Sequence, residues 1–553
     1  MSSEPKAWRA RLLAVCRVSD PAWLRFGRSG SIAFLIAGCL AIVAWHGLIP
    51  DIPTDMYKAH RLGFGEGDTA SRGWRGMGFV PKRAVKYWYF LYYTGRFPIT
   101  TERLASDLVW EERAARRMLE QRGVNAVADT LDQDASAVGQ AYRAADPRLE
   151  MEDHSFLTTG DLAKVFLLYP DVWLHGVPRE ARLRTFNRLL GAASLLALFV
   201  SLSLIHHRLL GSVLVAVLAS NPFQWVELYY RNNVFGYPIA VASLMLALHA
   251  PMIFTRWRSP LAYLVPLVSG VFLACVREVR TEPALVILSV AGIYLFLGGS
   301  WTRRGLLIGV LALSFATTTT LWERYWSAKF QEAHNIVTFQ GGKAFDGAWN
   351  AHHAFWHSIW CGLGDFGQEH GFHWYDKSAY RFAVPKMNRR FGTDYKIGEG
   401  HRLLNYYTSA RKHRIKPETL PEYSIVLRER VLRIIRNRPL WYAGVLGKRV
   451  VRVFTQITPI RLRIGAYFVD VPFSAWLFIP AFLGLAVLRS WSQLKFLAFY
   501  LPTSLSSILV YSGHGMTYNA AFHLSLFAVV VCWLTHAATA LVAGGRGRLR
   551  AGS

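Results

Sequence analysis

Long apolar runs alternate with two long polar segments along the 553-residue chain. The apolar runs, which have similar lengths, lie at about 31–50, 187–205, 208–222, 234–254, 260–276, 283–299, 305–322, 471–488, 494–512 and 518–541. Roughly 20 apolar residues in a helix cross the hydrocarbon core of a bilayer. The pattern therefore predicts an all-α polytopic membrane protein with about ten transmembrane helices.

Basic connectors predict the orientation of these helices. Arginines and lysines precede the first run in residues 1–30, and a later turn contains His207-Arg208. Such segments stay in the cytoplasm by the positive-inside rule. The basic start resembles a signal peptide, but no clear small-residue cleavage site precedes Asp51. We therefore expect an uncleaved first span that brings Asp51 to the extracytoplasmic surface.

This orientation divides the chain into consecutive parts. They are a basic cytoplasmic N-terminus, a first transmembrane helix, a first extracytoplasmic loop domain, a six-helix transmembrane block, a second extracytoplasmic region with an interfacial amphipathic helix, C-terminal transmembrane helices and a basic cytoplasmic tail. Their predicted boundaries are 1–30, 31–50, 51–183, 184–322, 323–466, 467–541 and 542–553. Both large loop regions then lie on the same side of the membrane.

Composition and charge narrow the class of partner. The chain has 63 lysines and arginines against 36 acidic residues, and its formal net charge is +27. Because the basic residues flank apolar runs instead of forming a soluble basic domain, we expect membrane lipids or lipid phosphates as partners, and no nucleic acid. The five cysteines form no disulfide framework and no zinc-binding spacing.

Two carboxylates, Asp51 and Asp55, follow the first predicted helix and lie close to Tyr57. An acid held just outside a membrane helix, beside a large polar loop, suits a general base that acts on a lipid-borne substrate. A solvated helix end explains the same residues without any chemistry. Both interpretations stay open on the residues alone.

Two further polar clusters end predicted spans at the same outer rim. One contains Glu227 and Arg231, and the other contains Arg277, Arg280 and Glu282. Charged groups at a membrane edge are costly unless they pair or face water. Internal ion pairs, such as Arg277 with Glu282, are one interpretation. The other is that Arg277 or Arg280 grips a lipid-linked phosphate through charge-assisted hydrogen bonds.

Histidine and tryptophan are concentrated in the second polar segment, at His352, His353, Trp356 and His357. Imidazoles bind zinc, but this spacing matches no strong metal signature. Sugar recognition is at least as good an interpretation, since indole faces offer apolar contact and imidazoles offer directional hydrogen bonds. A loop that packs on the membrane domain through its aromatic residues is the structural alternative.

Several enzyme signatures are absent from the sequence. It has no Walker loop, no Gly-x-Ser-x-Gly, no His-Glu-x-x-His and no dinucleotide fingerprint after a predicted strand. A nucleotide-driven pump or a soluble nucleotide-sugar transferase is therefore disfavoured. A secondary transporter fits poorly, because its two halves should resemble each other.

Five segments carry a family resemblance: Asp55 to Ala59 after the first span, Arg277 to Glu282 at a later rim, His353 to Gly364, Asn437 to Tyr442, and Lys448-Arg449. Together with the long first outer loop, they resemble the GT-C superfamily of polytopic glycosyltransferases, especially relatives of protein O-mannosyltransferases and aminoarabinose transferases (glycosyltransferase family 39). Near the last span the family often has a histidine followed by an Arg-Tyr pair, whereas His514 here precedes Met516 and Tyr518.

The resemblance implies a GT-C-like fold and a hexosyl- or pentosyltransferase that uses a polyprenyl-phosphate sugar donor and a glycan, lipid or protein acceptor. It would act at the extracytoplasmic face of a plasma or inner membrane. Asp55 would be the general base, with Asp51 as the alternative, and Arg277, Arg280 and Arg231 would bind the lipid phosphate. Substrate-binding residues would be Tyr57, Glu227, Glu282, His352, His353, Trp356, His357 and His514. No cofactor is implied, and no residue pattern supports a divalent metal.

Three other functions stay open. A transporter or flippase for a lipid-linked glycan would use the same basic cavity without a base. A polysaccharide polymerase or ligase of the other GT-C branch would rely on arginine and histidine in a late outer loop. A structural or sensory membrane protein would have no continuous cavity from Asp55 to the rim arginines.

Overall fold

The computed structural model describes residues 24–48, 163, 184–220, 236–255, 260–297, 300–339, 355–397, 404–407, 412–415, 421–464, 467–487, 491–510, 522–535 and 538. Of these residues, 85% are helical. The first predicted loop domain, 51–183, lies outside the described residues except for Ala163.

Eight helices form the first part of the described chain. They are α1 (Arg28–Leu48), α2 (Arg184–Leu204), α3 (Arg208–Ser220), α4 (Gly236–Phe254), α5 (Leu264–Val279), α6 (Thr281–Ala284), α7 (Val286–Leu295) and α8 (Trp301–Phe339). A 3₁₀ turn, Pro260–Tyr263, leads into α5. Their apolar composition follows the predicted runs, and α8 continues well past the predicted end of its run at residue 322.

Four described helical segments are long and apolar enough to cross a membrane: Phe186–Leu204, Tyr237–Phe254, Pro260–Val279 and Trp301–Ala328. Five shorter apolar helices accompany them: Arg28–Ala44, Arg208–Ser220, Thr281–Leu295, Ala475–Val487 and Phe522–Thr535. The predicted membrane-helix content is confirmed at this coarser level, and the total of about ten spans stays a prediction.

Large apolar side chains cover the outside of this helical bundle. On α1, Ile32, Ile36 and Leu40 are 50%, 56% and 63% exposed, and on α8 Leu313 is 69% exposed. The three α1 residues are four positions apart, so they lie on one helix face. Extended apolar surface of this kind is unusual on a soluble monomer and is what lipid tails solvate.

The two basic segments that were predicted to be cytoplasmic meet at one end of the bundle. The Arg208 guanidinium, at the start of α3, donates to the backbone oxygen of Leu24 and to Ser31 Oγ at 2.7 Å. Arg208 is 4% exposed and also lies over the Phe26 ring. The starts of α1 and α3 therefore share a side, as the positive-inside pattern predicts.

Helices α5 and α8 approach most closely at Gly270. A Cβ built on Gly270 would lie 2.7 Å from the Leu311 backbone oxygen and 2.9 Å from the Phe315 nitrogen. Ser314 fills the rest of the contact and donates to the Leu311 carbonyl at 3.0 Å. Small residues at such a crossing let membrane helices pack backbone to backbone.

We expect Gly270→Ala to destabilise the protein by about 1–3 kcal/mol, because the added methyl group must push α8 away from α5. Gly309→Ala on α8 is the matched control, since a Cβ there meets no atom within 4 Å. That change should be neutral or slightly stabilising. Unfolding of both variants in detergent micelles measures the difference, and equal stability would contradict the close crossing.

A second group of helices follows α8 and has its own core. It contains α9 (Phe355–Leu363), α10 (Asp376–Phe391), α11 (Pro421–Asn437) and α12 (Pro439–Thr455). The buried side chains of this second core include Trp360, Phe372, Tyr380, Tyr423 and Leu427. Helix α11 buries one apolar face and exposes arginines on the other, and its predicted place in the membrane interface stays a prediction.

The chain also contains five strands among the described residues, which the all-α prediction omitted. Strands β1 (Lys396–Ile397), β2 (Leu404–Tyr407) and β3 (Lys412–Ile415) form an antiparallel sheet, and β4 (Ile457–Ile464) pairs with β5 (Tyr467–Ser474) in a hairpin. The span predicted at 471–488 is therefore wrong in its first residues, because β5 continues to Ser474. Helix begins only after the hairpin.

The remaining described helices are short. They are α13 (Phe478–Val487), α14 (Trp491–Ala498), α15 (Leu505–Leu509) and α16 (Phe522–Thr535). They pack with α4 and α7 around the larger core of the described chain, which includes Leu246, Val290 and Phe496. In this core, Ser289 Oγ of α7 donates to the Phe499 carbonyl at 2.6 Å. The C-terminal segments thus belong to the same helical bundle as α2 to α8.

A buried ion pair ties the second core to the C-terminal helices. Arg449 Nε of α12 donates to Asp365 Oδ2 at 3.2 Å, and both side chains are 1% exposed. The same guanidinium donates to the backbone oxygens of Ile508 and Leu509 at 3.0 and 3.2 Å. Burial lowers the pKa of Arg449, and the Asp365 carboxylate acts in the opposite direction. We interpreted the arginines of the amphipathic stretch from Arg428 to Arg452 as anchors at lipid headgroups, and this is wrong for Arg449, which the structure buries.

Candidate functional site

Five predicted site residues lie in the described part of the chain: Arg277, Arg280, Glu282, Trp356 and His357. The others, Asp51, Asp55, Tyr57, Glu227, Arg231, His352, His353 and His514, lie outside the described residues. The described site residues are therefore the arginines at the end of α5 with Glu282, and the start of the histidine-rich segment.

The two rim arginines lie where α5 ends. Arg277 is in the last turn of α5, where a cation is favoured by the helix dipole. Arg280 directly follows the helix and has an extended backbone, with φ −165° and ψ 135°. The chain then enters α6, whose first turn contains Glu282. This break turns Arg280 towards Glu282.

Each rim arginine has an acidic neighbour. Arg280 Nε lies 3.0 Å from Glu282 Oε2, and Arg280 Nη2 donates to Glu282 Oε1 at 3.2 Å, so the contact uses both oxygens. Arg277 Nη1 lies 3.7 Å from Glu323 Oε1 on α8. The suggested ion pair between Arg277 and Glu282 is wrong, because Glu282 pairs with Arg280 across the helix break and Arg277 lies near Glu323.

A third carboxylate, that of Glu278, lies between Arg277 and Arg280 in the sequence and is only 2% exposed. Trp326 Nε1 of α8 donates to Glu278 Oε2 at 2.9 Å, and Arg277 Nη1 lies 3.9 Å from Oε1. Trp322 stacks on Trp326 with ring centroids 5.7 Å apart. The sequence prediction included neither Glu278 nor Glu323. The alternation of arginine and carboxylate near the end of α5 was a sequence signal for Glu278, whereas Glu323 lies 45 residues further along the chain on α8.

An apolar cavity of about 130 Å³ opens beside Arg280. Its walls come from α2, α4 and α5, including Leu190, Val241, Phe272 and Val276. Among the described residues that line it, Arg280 alone is charged. The surface of the cavity is almost wholly apolar, and Arg280 is the charged residue at its edge.

This combination suits an amphiphilic ligand. Apolar walls bind a hydrocarbon chain, and a guanidinium binds a phosphate or carboxylate with two hydrogen bonds. The Arg280 side chain is 12% exposed and that of Glu282 is 25% exposed, so the polar end of such a ligand would remain close to water. A nucleotide base or a free sugar would leave most of its own polar groups without a hydrogen-bond partner against these walls.

His357 lies in the second core and does not line this cavity. Its Nδ1 is 2.6 Å from the Tyr423 hydroxyl, and its Nε2 is 3.1 Å from Asp376 Oδ1. His357 is 5% exposed, and Trp356 packs against the same core. The structure thus separates the two described groups of predicted site residues, and His357 has no open face for a sugar.

Comparison of the chain with protein-family models, with curated proteins and with solved structures finds no match.

Proposed function

We propose that this chain is a membrane glycosyltransferase that moves a sugar from a polyprenyl-phosphate donor to an extracytoplasmic acceptor. The observation that supports this most is the apolar cavity with Arg280 at its edge. A polyprenyl phosphate is an apolar chain with an anionic head, which is the chemistry that these walls and this guanidinium complement. A water-soluble donor has no hydrocarbon chain to bind against these apolar walls.

The contact with Glu282 supports a positioning role for that carboxylate. A guanidinium has five N–H donors in a fixed fork, more than one carboxylate accepts. Glu282 therefore fixes the plane of the Arg280 fork while Arg280 binds a phosphate as well. Arg277, one helical turn earlier, adds positive charge at the same end of α5.

In the proposed reaction, the acceptor hydroxyl attacks the anomeric carbon of the donor sugar. Asp55 takes the hydroxyl proton, with Asp51 as the alternative base, and the bond between the sugar and the phosphate oxygen breaks. The departing polyprenyl phosphate gains negative charge, which Arg280 and Arg277 neutralise. This stabilisation grows as the bond breaks, so it accelerates the step instead of only holding the donor.

The proposal assigns the site to the extracytoplasmic face of a plasma or inner membrane. The basic turns and the first basic segment support that orientation, since Arg208 and the start of α1 share one side of the bundle. The acceptor is a glycan, a lipid or a protein that reaches this surface.

A reconstituted assay tests the proposal. The purified chain in lipid vesicles receives labelled polyprenyl-phosphate sugars, and both transfer to an acceptor and movement of the lipid across the bilayer are measured. We expect transfer. Lipid movement without transfer would support a flippase and contradict the transferase.

Arg280→Ala should lower kcat/KM for the donor by about 10- to 1,000-fold and leave the KM of the acceptor unchanged. Arg304→Ala is the matched control, because Arg304 lies over Trp301 at the start of α8 and does not line the cavity. Equal losses for donor and acceptor would show that Arg280 only forms a structural ion pair with Glu282.

A further inference from the structure

Three side chains of metal-binding types converge at the edge of the second core. His357 and Cys361 lie on α9, and Asp376 begins α10. One ligand atom from each, His357 Nε2, Cys361 Sγ and a carboxylate oxygen of Asp376, lies within 4.8 Å of the other two.

The local fold explains why the three groups meet. His357 and Cys361 are four residues apart on a helix, so both side chains point to the same face. The loop after α9 passes very close to the segment before α10: a Cβ on Gly364 would lie 2.6 Å from the His373 Cα. Only glycine permits this approach, which brings Asp376 back against α9.

The orientation of the imidazole separates this cluster from a catalytic relay. In a Cys-His-acid relay the nucleophile and the acid contact opposite ring nitrogens. Here Asp376 Oδ1 and Cys361 Sγ both face Nε2, at 3.1 and 3.8 Å. The other nitrogen, Nδ1, is 2.6 Å from the Tyr423 hydroxyl.

That arrangement is typical of a metal-binding histidine. One ring nitrogen binds the ion, and an outer partner fixes the ring through the other nitrogen. Tyr423 is such a partner: it is fully buried on α11. Tyr380 stacks on the His357 ring at 5.7 Å between centroids, which further holds the ring.

We propose that His357 Nε2, Cys361 Sγ and the Asp376 carboxylate bind a Zn²⁺ ion. In a tetrahedral zinc site with these ligand types, ligand atoms are about 3.3–3.6 Å apart, given metal–ligand distances of roughly 2.0–2.3 Å. The two separations from His357 Nε2, 3.1 and 3.8 Å, bracket that spacing, and the third, between Cys361 Sγ and the carboxylate, is within 4.8 Å. The thiolate disfavours Ca²⁺ and Mg²⁺, which prefer oxygen ligands.

Among the described residues, the proposed site has three ligands, one fewer than a tetrahedral ion takes. His357 and Cys361 are buried, whereas the side chain of Asp376 is 65% exposed, so one of the three ligands lies at a solvent-exposed edge. Three protein ligands with an open position are typical of zinc sites that bind water or an exogenous ligand. This site is distinct from the Arg280 cavity, and its test needs neither donor nor acceptor.

The competing arrangement contains no ion. In it, Nε2–H of His357 donates to Asp376 and the Tyr423 hydroxyl donates to Nδ1, which satisfies both ring nitrogens. The two arrangements differ in the role of Cys361: it is a ligand in the zinc-bound arrangement, and in the metal-free arrangement it only lies near His357.

Metal content of the full-length protein in detergent tests the proposal. After exposure to Zn²⁺ and removal of weakly bound ion by gel filtration, we expect about one tightly bound Zn²⁺ per chain. Cys361→Ser and Asp376→Asn should lower the affinity at least about tenfold. The matched controls Cys39→Ser and His373→Gln, which change the same residue types outside the cluster, should retain wild-type affinity.

Co²⁺ provides a second test, because its absorption spectrum reports directly whether the Cys361 thiolate is bound to the metal. In the wild-type protein, Co²⁺ should give a near-ultraviolet thiolate charge-transfer band, which Cys361→Ser removes. Tyr423→Phe should keep that band and weaken Zn²⁺ binding about 10- to 100-fold. Because Asp376 is exposed, Asp376→Asn should fold normally, and circular dichroism checks this.

The proposal is overturned if the wild-type protein binds no more Zn²⁺ than Cys361→Ser and Asp376→Asn do, or if bound Co²⁺ shows no thiolate band. Either result would assign the cluster to the metal-free hydrogen-bonded arrangement. Failure of the sugar-transfer assay would leave the metal result unaffected, so the two proposals fail separately.

Discussion

Replacing Arg449 by Met is expected to destabilise the folded protein by about 3–5 kcal/mol. The change removes the cation and leaves the Asp365 carboxylate buried, with its side chain 1% exposed. It also removes the donor to the Ile508 and Leu509 carbonyls. Because these contacts join the second core to the C-terminal helices, the loss should appear as global unfolding of the described bundle. Denaturant titration in mixed micelles measures it.

A double variant distinguishes the cost of the unpaired charge from the cost of lost packing. Arg449→Met combined with Asp365→Leu removes both charges, and apolar replacement of a buried pair is often close to neutral. The double variant should therefore be more stable than Arg449→Met alone. Lys448→Met is the matched control on the exposed side of α12 and should change stability by less than about 0.5 kcal/mol. Equal effects at positions 448 and 449 would contradict the buried pair.

Replacing Asp55 by Asn is expected to lower sugar transfer by about 10²–10⁴-fold, the usual contribution of a general base. Asparagine has nearly the same volume as aspartate but does not accept the acceptor proton at neutral pH. Folding and membrane insertion should therefore be unchanged. Initial rates of transfer from a labelled polyprenyl-phosphate sugar in lipid vesicles measure the loss.

Asp51→Asn is the comparison variant for this test, because it removes a carboxylate four residues away in the same segment. Transfer should fall much less in Asp51→Asn than in Asp55→Asn. A purified Asp55→Asn protein with near-full transfer would move the base to Asp51 or remove the chain from this class of enzyme.

Hydropathy predicted most described helices well. The run predicted at 187–205 is observed as Arg184–Leu204, and the run predicted at 234–254 as Gly236–Phe254. These agreements follow from one physical constraint: a helix that meets lipid must be apolar over its whole length. The same constraint says nothing about where a helix ends outside the bilayer, and α8 continues about 17 residues past its predicted end.

The β4–β5 hairpin shows a different limit. Ile460, Leu462 and Ile464 alternate with Arg461 and Arg463, which is the two-residue period of a strand. We predicted no strand here: residues 457–464 were assigned to the second extracytoplasmic region and residues 471–474 to a membrane span, because counting arginines and apolar residues ignores their period. The pairing of Ile460 with Val471 then brings part of the predicted span into the hairpin.

The partners of the charged residues were the least predictable feature. Asp365 and Arg449 are 84 residues apart, and Glu278 and Trp326 are 48 apart. Local periodicity carries no information on such contacts, because they depend on how helices cross. His357 and Cys361 were visible as a four-residue spacing, but only the close approach at Gly364 brings Asp376 to them.

The length of α8 has a mechanical consequence. At about 1.5 Å per residue, its 39 residues form a rod of about 58 Å, roughly twice the thickness of the hydrocarbon core. No proline or glycine interrupts it from residue 310 onward, so it has no ready point at which to bend. A force on its C-terminal end is therefore transmitted as a tilt of its N-terminal end. Glu323 and Trp326 lie along this rod, so displacement of its C-terminal half would shift the carboxylate beside Arg277.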